Sequence, residues 1–137
     1  MASLIPESLM ISLERIIEIT AEHFNMQPET VSQGYGYRAI LSRQIAVLMC
    51  RNLGPFRNRD IARHMRQDKR VISYSYITIK KKLKKNEHFG TYKIKSIVKS
   101  IYQKVLEEME KDPDIDRALV KMASAGVQSQ DKSEIPS

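Results

Sequence analysis

The segment that decides the fold is NRDIARHMRQDKRVISYSYITIKKKLKK, residues 58 to 85. Its first eight letters place Ile61, Ala62 and Met65 on one side of a short helix, and Asn58 is a good N-terminal cap for that helix. The polar and glycine-free RQDKRV that follows predicts a turn. The segment therefore opens as a helix and a turn, and its role depends on what the remaining letters form.

After the turn, apolar side chains recur at spacings of four, three and four: Ile72, Tyr76, Ile79 and Leu83. This spacing predicts a helix with one apolar face, although the β-branched and aromatic content would also suit a strand. We favour the helix because the period continues through the lysines to Leu83. The segment then predicts a helix-turn-helix over about residues 58 to 85.

Similar periodicity, and for residues 28 to 33 a proline in the first turn, predicts helices on both sides of this pair. Before it we expect helices over about 8 to 24, capped by Ser8 or Ser12, over 28 to 33, and over the apolar RQIAVLMCRNL, capped by Ser42, with a glycine loop at 34 to 41. The third of these looks apolar on most sides and belongs at the centre. After the pair we expect one long helix over about 93 to 111.

The fold class predicted from these elements is all-α, a compact helical bundle in a single domain over residues 1 to 111. Residues 112 to 137 are expected to add a short helix, DIDRALVKMA, and then a disordered tail, because the letters from Ser124 onward are small and polar.

Charge is distributed unevenly along the chain. The net charge is +7, but residues 57 to 85 carry eleven basic against two acidic side chains, while residues 1 to 37 carry one arginine against five glutamates. This polarity predicts one face for a polyanion and another for packing or protein contacts. Charge alone does not distinguish DNA from RNA or from an acidic membrane.

Chemistry beyond binding has little support in the sequence. His23, His64 and His88 lie far apart, without the partners that a zinc site needs. GYGYRA, residues 34 to 39, lacks the third glycine and the preceding strand of a dinucleotide fingerprint. We therefore expect no enzyme, no catalytic residue, no metal or other cofactor and no small-molecule substrate.

The lone cysteine, Cys50, lies in an apolar run and indicates a buried structural thiol in a reducing compartment. The first twenty residues carry acids among their apolar positions and lack a basic start, so neither export nor membrane spanning is expected. We predict a cytoplasmic, nucleoid-associated protein.

Within a helix-turn-helix, the second helix presents its first residues to base edges and its later residues to phosphates. Here Ser73, Tyr74, Ser75 and Thr78 are expected to face outward, followed by Lys81, Lys82 and their neighbouring lysines. The alternative for this stretch alone is an ordinary helical hairpin with a solvated basic face.

The letters LSRQIAVLMCRNL followed by NRDIARHM resemble the C-terminal DNA-binding domain (domain IV) of the bacterial replication initiator DnaA, which has a helix-turn-helix like that of the Trp repressor. The likeness covers about Leu13 to Leu83. It implies backbone contacts for Arg43, Gln44, Asn58 and Arg59, and a minor-groove contact for Arg38.

Two departures limit what the resemblance implies. The family's signature after the turn is Gly-Gly-Arg-Asp-His-Thr-Thr-Val, whereas this chain has RQDKRVISYSYI, longer by about three residues if Tyr76 replaces the valine. Ser73, Tyr74 and Ser75 then stand where His-Thr-Thr would read bases, so the initiator's own binding box is not the expected target. An ATPase domain is also missing, so the chain is not expected to act as an initiator.

The expected partner is double-stranded DNA, bound by a bacterial or phage regulator of transcription or replication, and a homodimer through the helix at 93 to 111 is the expected oligomer if the target is palindromic. Two alternatives remain open. One is a protein-interaction module that kept the fold, which an exposed apolar stripe on the 93 to 111 helix would favour. The other is non-specific nucleic-acid binding, which is less favoured because Tyr74 is the only aromatic expected to be exposed beside the lysines.

Overall fold

The computed structural model describes residues 11 to 111. In chain order they form helices α1 (Leu13–Phe24), α2 (Pro28–Gln33), α3 (Tyr37–Leu53), α4 (Asn58–Met65) and α5 (Lys69–Lys84), strands β1 (His88–Phe89) and β2 (Tyr92–Lys93), and helix α6 (Ile94–Lys111). The all-α prediction is confirmed. The Ser8 cap and the short helix and tail predicted for 112 to 137 lie outside the described residues.

The centre of the bundle is α3. Every residue from Leu41 to Cys50 is buried, and α1, α2, α4 and α5 all pack against this helix. The sequence predicted that Ser42 caps this helix, and this was wrong. The helix starts at Tyr37, because Gly36 adopts a φ of 93° that lets the chain turn into the helix earlier, and the Ser42 hydroxyl donates instead to the Ala39 carbonyl at 2.6 Å.

Helices α4 and α5 form the predicted helix-turn-helix, with both starts shifted from expectation. Arg57, and not Asn58, is the residue before α4, and its backbone N–H donates to the Asp60 carboxylate at 2.9 Å. Helix α5 begins at Lys69, three residues before Ile72, because the Asp68 carboxylate caps it by accepting from the Arg70 N–H at 2.8 Å. The turn is therefore short.

The turn takes its sharp bend at Arg66, whose φ of 58° is a left-handed value that usually favours glycine. Helix α2 holds it in place. The Gln33 amide donates to the carbonyls of Met65 and Arg66, the latter at 3.0 Å, and the Gln67 amide donates back to the Ser32 carbonyl at 2.8 Å. These bonds connect the end of α2 to the hinge between the two helices.

The predicted long helix is confirmed as α6, which a hairpin of β1 and β2 precedes. The hairpin turns at Gly90, with a φ of 63°, and was not expected from the sequence. The apolar stripe of α6 is buried against α1 and α5; it comprises Ile94, Ile97, Val98, Ile101 and Val105. An ion pair between Arg15 of α1 and Glu108, 3.1 Å apart, adds to this packing.

We expect Gln33→Ala to lower the free energy of unfolding by about 1 to 2 kcal/mol, because two carbonyls at the hinge lose their donor. Urea denaturation measures the change. Gln27→Ala is the matched control, since the exposed Gln27 side chain makes no capping hydrogen bond to α2. Equal stability of the two variants would show that the two Gln33 hydrogen bonds do not stabilise the hinge.

Candidate nucleic-acid interface

The outward face of α5 carries one row of exposed side chains, Arg70, Tyr74, Ile77 and Lys81, at spacings of four, three and four. The opposite face carries Ile72 and Ile79, both fully buried. Tyr74 is 69% exposed and Ile77 is 52% exposed. We call this set the outer row of α5.

The structure separates the four residues predicted to begin the recognition helix. Tyr74 faces outward as expected. Ser75 is 5% exposed and was assigned wrongly: it lies three residues after Ile72 and four before Ile79, which places it on the buried face. Ser73 and Thr78 are half-buried on the two flanks of the helix.

Asn58 joins three helices. Its side-chain amide donates to the Ser73 hydroxyl of α5 at 2.8 Å, and its carbonyl oxygen accepts from the Arg51 guanidinium of α3 at 2.7 Å. Arg51 in turn lies 4.1 Å above the Tyr76 ring. Asn58 and Ser73 therefore fix the approach of α4 to α5, a role that the sequence did not indicate.

An open groove of about 370 Å³ lies beside the starts of α4 and α5, and we call it the basic notch. It is lined by Arg51, Phe56, Arg57, Asn58, Arg59 and Lys69. Four of these six side chains are cationic and none is anionic. Because phosphate oxygens accept hydrogen bonds from such side chains, the notch suits a backbone phosphate.

Arg43 and Gln44 are not at the surface, which corrects the expectation that they contact a DNA backbone. Arg43 is 8% exposed, and its guanidinium donates to the carbonyls of Val31 at 2.9 Å and Gly34 at 2.6 Å. Burial lowers the pKa of this guanidinium below its usual value. Arg43 therefore connects the C-terminal end of α2 to α3 by hydrogen bonds.

Gln44 holds Lys82. Its side-chain oxygen accepts from the Lys82 ammonium at 3.0 Å, and the same ammonium lies 4.7 Å above the Tyr37 ring. Lys81, one residue earlier, is exposed on the outer row. The two lysines, predicted to act alike, therefore differ: Lys82 is bound within the fold, and Lys81 is presented to solvent.

The glycine loop before α3 exposes further groups. Arg38 and Tyr37 lie at the exposed start of α3, and Tyr35, between Gly34 and Gly36, is 97% exposed. The expectation that Tyr74 would be the only exposed aromatic was wrong. Because Lys82 lies over Tyr37, an aromatic and basic surface continues from α5 to this loop.

Helices α1 and α2 carry the exposed negative charge, from Glu14, Glu18, Glu22 and Glu29. Arg15 pairs with Glu18 at 3.0 Å, and the carboxylates around it, first that of Glu108, raise the pKa of its guanidinium. The charge polarity predicted along the sequence is thus also a polarity of the described surface.

Within residues 11 to 111, no group of three or more His, Cys, Asp or Glu side chains is placed to hold a metal ion. In the same residues no helix combines the length and the apolar character needed to cross a membrane. Cys50 is buried, and its apolar surroundings raise the pKa of the thiol.

No protein-family model, curated protein or solved structure matches this chain. The resemblance to the DNA-binding domain of the replication initiator therefore stays a prediction from the sequence.

Arg43→Met should destabilise the fold by about 1 to 3 kcal/mol, because it leaves two carbonyls without their donor, while the folded variant keeps its affinity for duplex DNA. Lys95→Met is the control with the same loss of charge at an exposed site on α6, and should change stability by less than about 0.5 kcal/mol. Thermal melting and titration with a labelled duplex measure both quantities. An Arg43→Met protein that melts like the parent but loses duplex affinity would restore the original assignment.

Proposed function

We propose that this protein binds double-stranded DNA with α5 in the major groove and with the starts of α4 and α5 on the adjacent phosphates. The observation that carries the proposal is the outer row of α5, a single line of exposed side chains with cations at its ends and Tyr74 and Ile77 between them. An α-helix fits the major groove, and a row along one face is the part of a helix that meets base edges there.

Two features favour this proposal over a solvated basic hairpin. The first is that the basic notch lies at the side of α5 where a helix-turn-helix meets phosphate, with Arg59 and Lys69 exposed around it. The second is rigidity, because Asn58 and Gln33 hold α4 and the hinge in fixed positions. A recognition helix has to be held in this way, whereas a solvated hairpin does not.

We also propose a second register for the resemblance, which places the valine of the signature at the first buried residue of α5. In the family's signature, aspartate and valine are four residues apart, as are Asp68, which caps α5, and Ile72, its first buried residue. In this register the segment from Arg66 to Ile72 is one residue shorter than the signature, whereas with Tyr76 at the valine it is about three residues longer. Lys69, Arg70 and Val71 then take the place of His-Thr-Thr, with Tyr74 one turn further along.

In this proposal the protein acts by occupying a site on DNA, without catalysis. It is a cytoplasmic and nucleoid-associated regulator of transcription or replication. The rival adaptor function would use either the acidic first helix or an exposed apolar stripe on α6, the helix that is also the candidate dimer interface. That stripe is buried within the described fold, so no apolar surface of α6 favours the adaptor.

The experiment that tests the proposal is a selection of bound fragments from random 20-base-pair duplexes, followed by binding titrations of the enriched duplex and of a scrambled duplex. We expect an enriched motif and a preference of at least about 10³ over random sequence, the lower end for specific binders. Equal retention of all duplexes would limit the protein to non-specific binding, and no retention would refute the proposal.

Replacing Arg59 and Lys69 together with alanine should weaken binding to every duplex by a similar factor and reduce the slope of log affinity against log salt by roughly one to two units, because each lost phosphate contact releases about one counterion fewer. A control that removes the same kind of charge elsewhere is Lys99→Ala, on the exposed face of α6. If the control changes the slope as much as the double variant, the notch is not a phosphate site.

Arg70→Ala should reduce the preference for the enriched duplex over the scrambled one by about tenfold or more, since an arginine that reads a guanine discriminates by roughly 1 to 3 kcal/mol. Competition titrations at constant salt measure the preference. Arg63→Ala, exposed on α4 but off the outer row, is the comparison, and should leave the preference unchanged. The same preference in parent and Arg70→Ala would exclude base reading by this residue.

A further inference from the structure

Ile77 is the one side chain of the outer row that has no polar atom. It is 52% exposed, in the third turn of a helix whose outward face is otherwise charged or hydroxyl-bearing. Such a side chain can donate no hydrogen bond to a phosphate or to a base edge. If α5 enters the major groove, Ile77 meets the base edges there, and contact with an apolar group would remove its side chain from water at a gain in free energy.

The neighbourhood of Ile77 points to the kind of partner that covers it. Tyr74, one turn earlier, and Lys81, one turn later, are both exposed, and the last turn of α5 adds Lys84 beside Lys85. Over the range from Arg70 to Lys85 there is no acidic side chain. An apolar protein partner would have to accept this dense positive charge at the edge of its contact, whereas duplex DNA complements the charge.

Duplex DNA offers one apolar group to a helix in its major groove, the C5 methyl of thymine. The geometry allows contact with it. Arg70, Tyr74 and Ile77 extend over seven residues, or roughly 10 Å of helix, which is about three base-pair steps of 3.4 Å. A row of this length addresses neighbouring base pairs with one side chain each.

We propose that Ile77, with the Tyr74 ring beside it, selects thymine in the bound sequence by packing on its C5 methyl group. This inference rests on the proposed function, and it goes beyond it by assigning a specificity-determining residue and the base that it selects. It also separates two kinds of contact on one helix. Ile77 reads by apolar contact, and Arg70 reads by hydrogen bonds once its guanidinium, which pairs with the Asp68 carboxylate at 3.1 Å, exchanges that partner for a base edge.

The test uses the enriched 20-base-pair duplex in two forms, one with thymine and one in which deoxyuridine replaces the thymines one at a time. Uracil keeps every hydrogen-bonding group and removes the methyl alone. The parent protein should lose affinity by about fourfold at the thymine that Ile77 contacts, the fold-change expected for one buried methyl-sized group. Ile77→Ala should bind both forms equally and should show the salt dependence of the parent.

Lys84→Ala is the matched control, because it removes an exposed side chain from the same end of α5. It should weaken both forms of the duplex while keeping the difference between them. Thermal melting of the full chain verifies that Ile77→Ala, a half-exposed position, folds like the parent.

Two results overturn the inference while leaving the proposed function intact: a parent protein that binds the enriched duplex and is indifferent to every methyl group, or an Ile77→Ala protein that keeps the full thymine preference. Failure of the proposed function gives a different result, because the parent protein then binds no duplex or the selection enriches no motif. That result would remove the inference as well.

Discussion

The burial of α3 on every side is the constraint on which the rest of this structure depends. Ten consecutive residues, Leu41 to Cys50, have almost no contact with solvent, although Arg43 and Gln44 lie among them. A polar side chain in such a place needs a partner within the protein, because unpaired burial costs several times more free energy than a good hydrogen bond supplies. The surrounding helices are positioned where they provide those partners.

Each partner fixes one neighbour of α3. Arg43 binds the carbonyls of Val31 and Gly34, and so holds the end of α2. Gln44 binds Lys82 near the end of α5, while Asn52 at the end of α3 accepts from the Tyr76 hydroxyl, so α5 runs antiparallel along α3. Helix α2 then reaches the hinge between α4 and α5. Polar groups inside the bundle thereby orient the surface that we propose for DNA.

Apolar periodicity was sufficient to predict the helices, the helix-turn-helix and the central place of α3, because burial of one face determines where apolar residues recur. It did not predict helix starts, which depend on single residues: the positive φ at Gly36 begins α3 early, and the Asp68 cap begins α5 early. In the candidate site, Tyr74 and Arg59 are exposed as expected. The outward positions of Arg70 and Ile77 follow from the same period as the core stripe, and that signal was available in the sequence.

The sequence did not indicate which polar side chains are buried and which groups they bind. The resemblance implied that Arg43 and Gln44 are exposed to a partner, and only the tertiary arrangement places α2 carbonyls within reach of Arg43. Ser75 is a different case, since its spacing from Ile72 and Ile79 already indicated the buried face. The residues predicted together as DNA-binding therefore divide into two sets. Some make contacts within the fold, and the others are exposed to a partner.

The run of three lysines shows why this division matters for recognition. Successive residues of a helix point about 100° apart, so Lys80, Lys81 and Lys82 leave α5 in three directions. Lys80 lies 4.9 Å above the Tyr76 ring on one flank, and Lys82 is held by Gln44 and Tyr37 on the other. Only Lys81 points along the outer row. The three lysines look equivalent in the sequence, but only one of them adds to the outer row, and the other two make contacts on its flanks. A narrow row can dock in one register in a groove, whereas a solvated basic tail cannot.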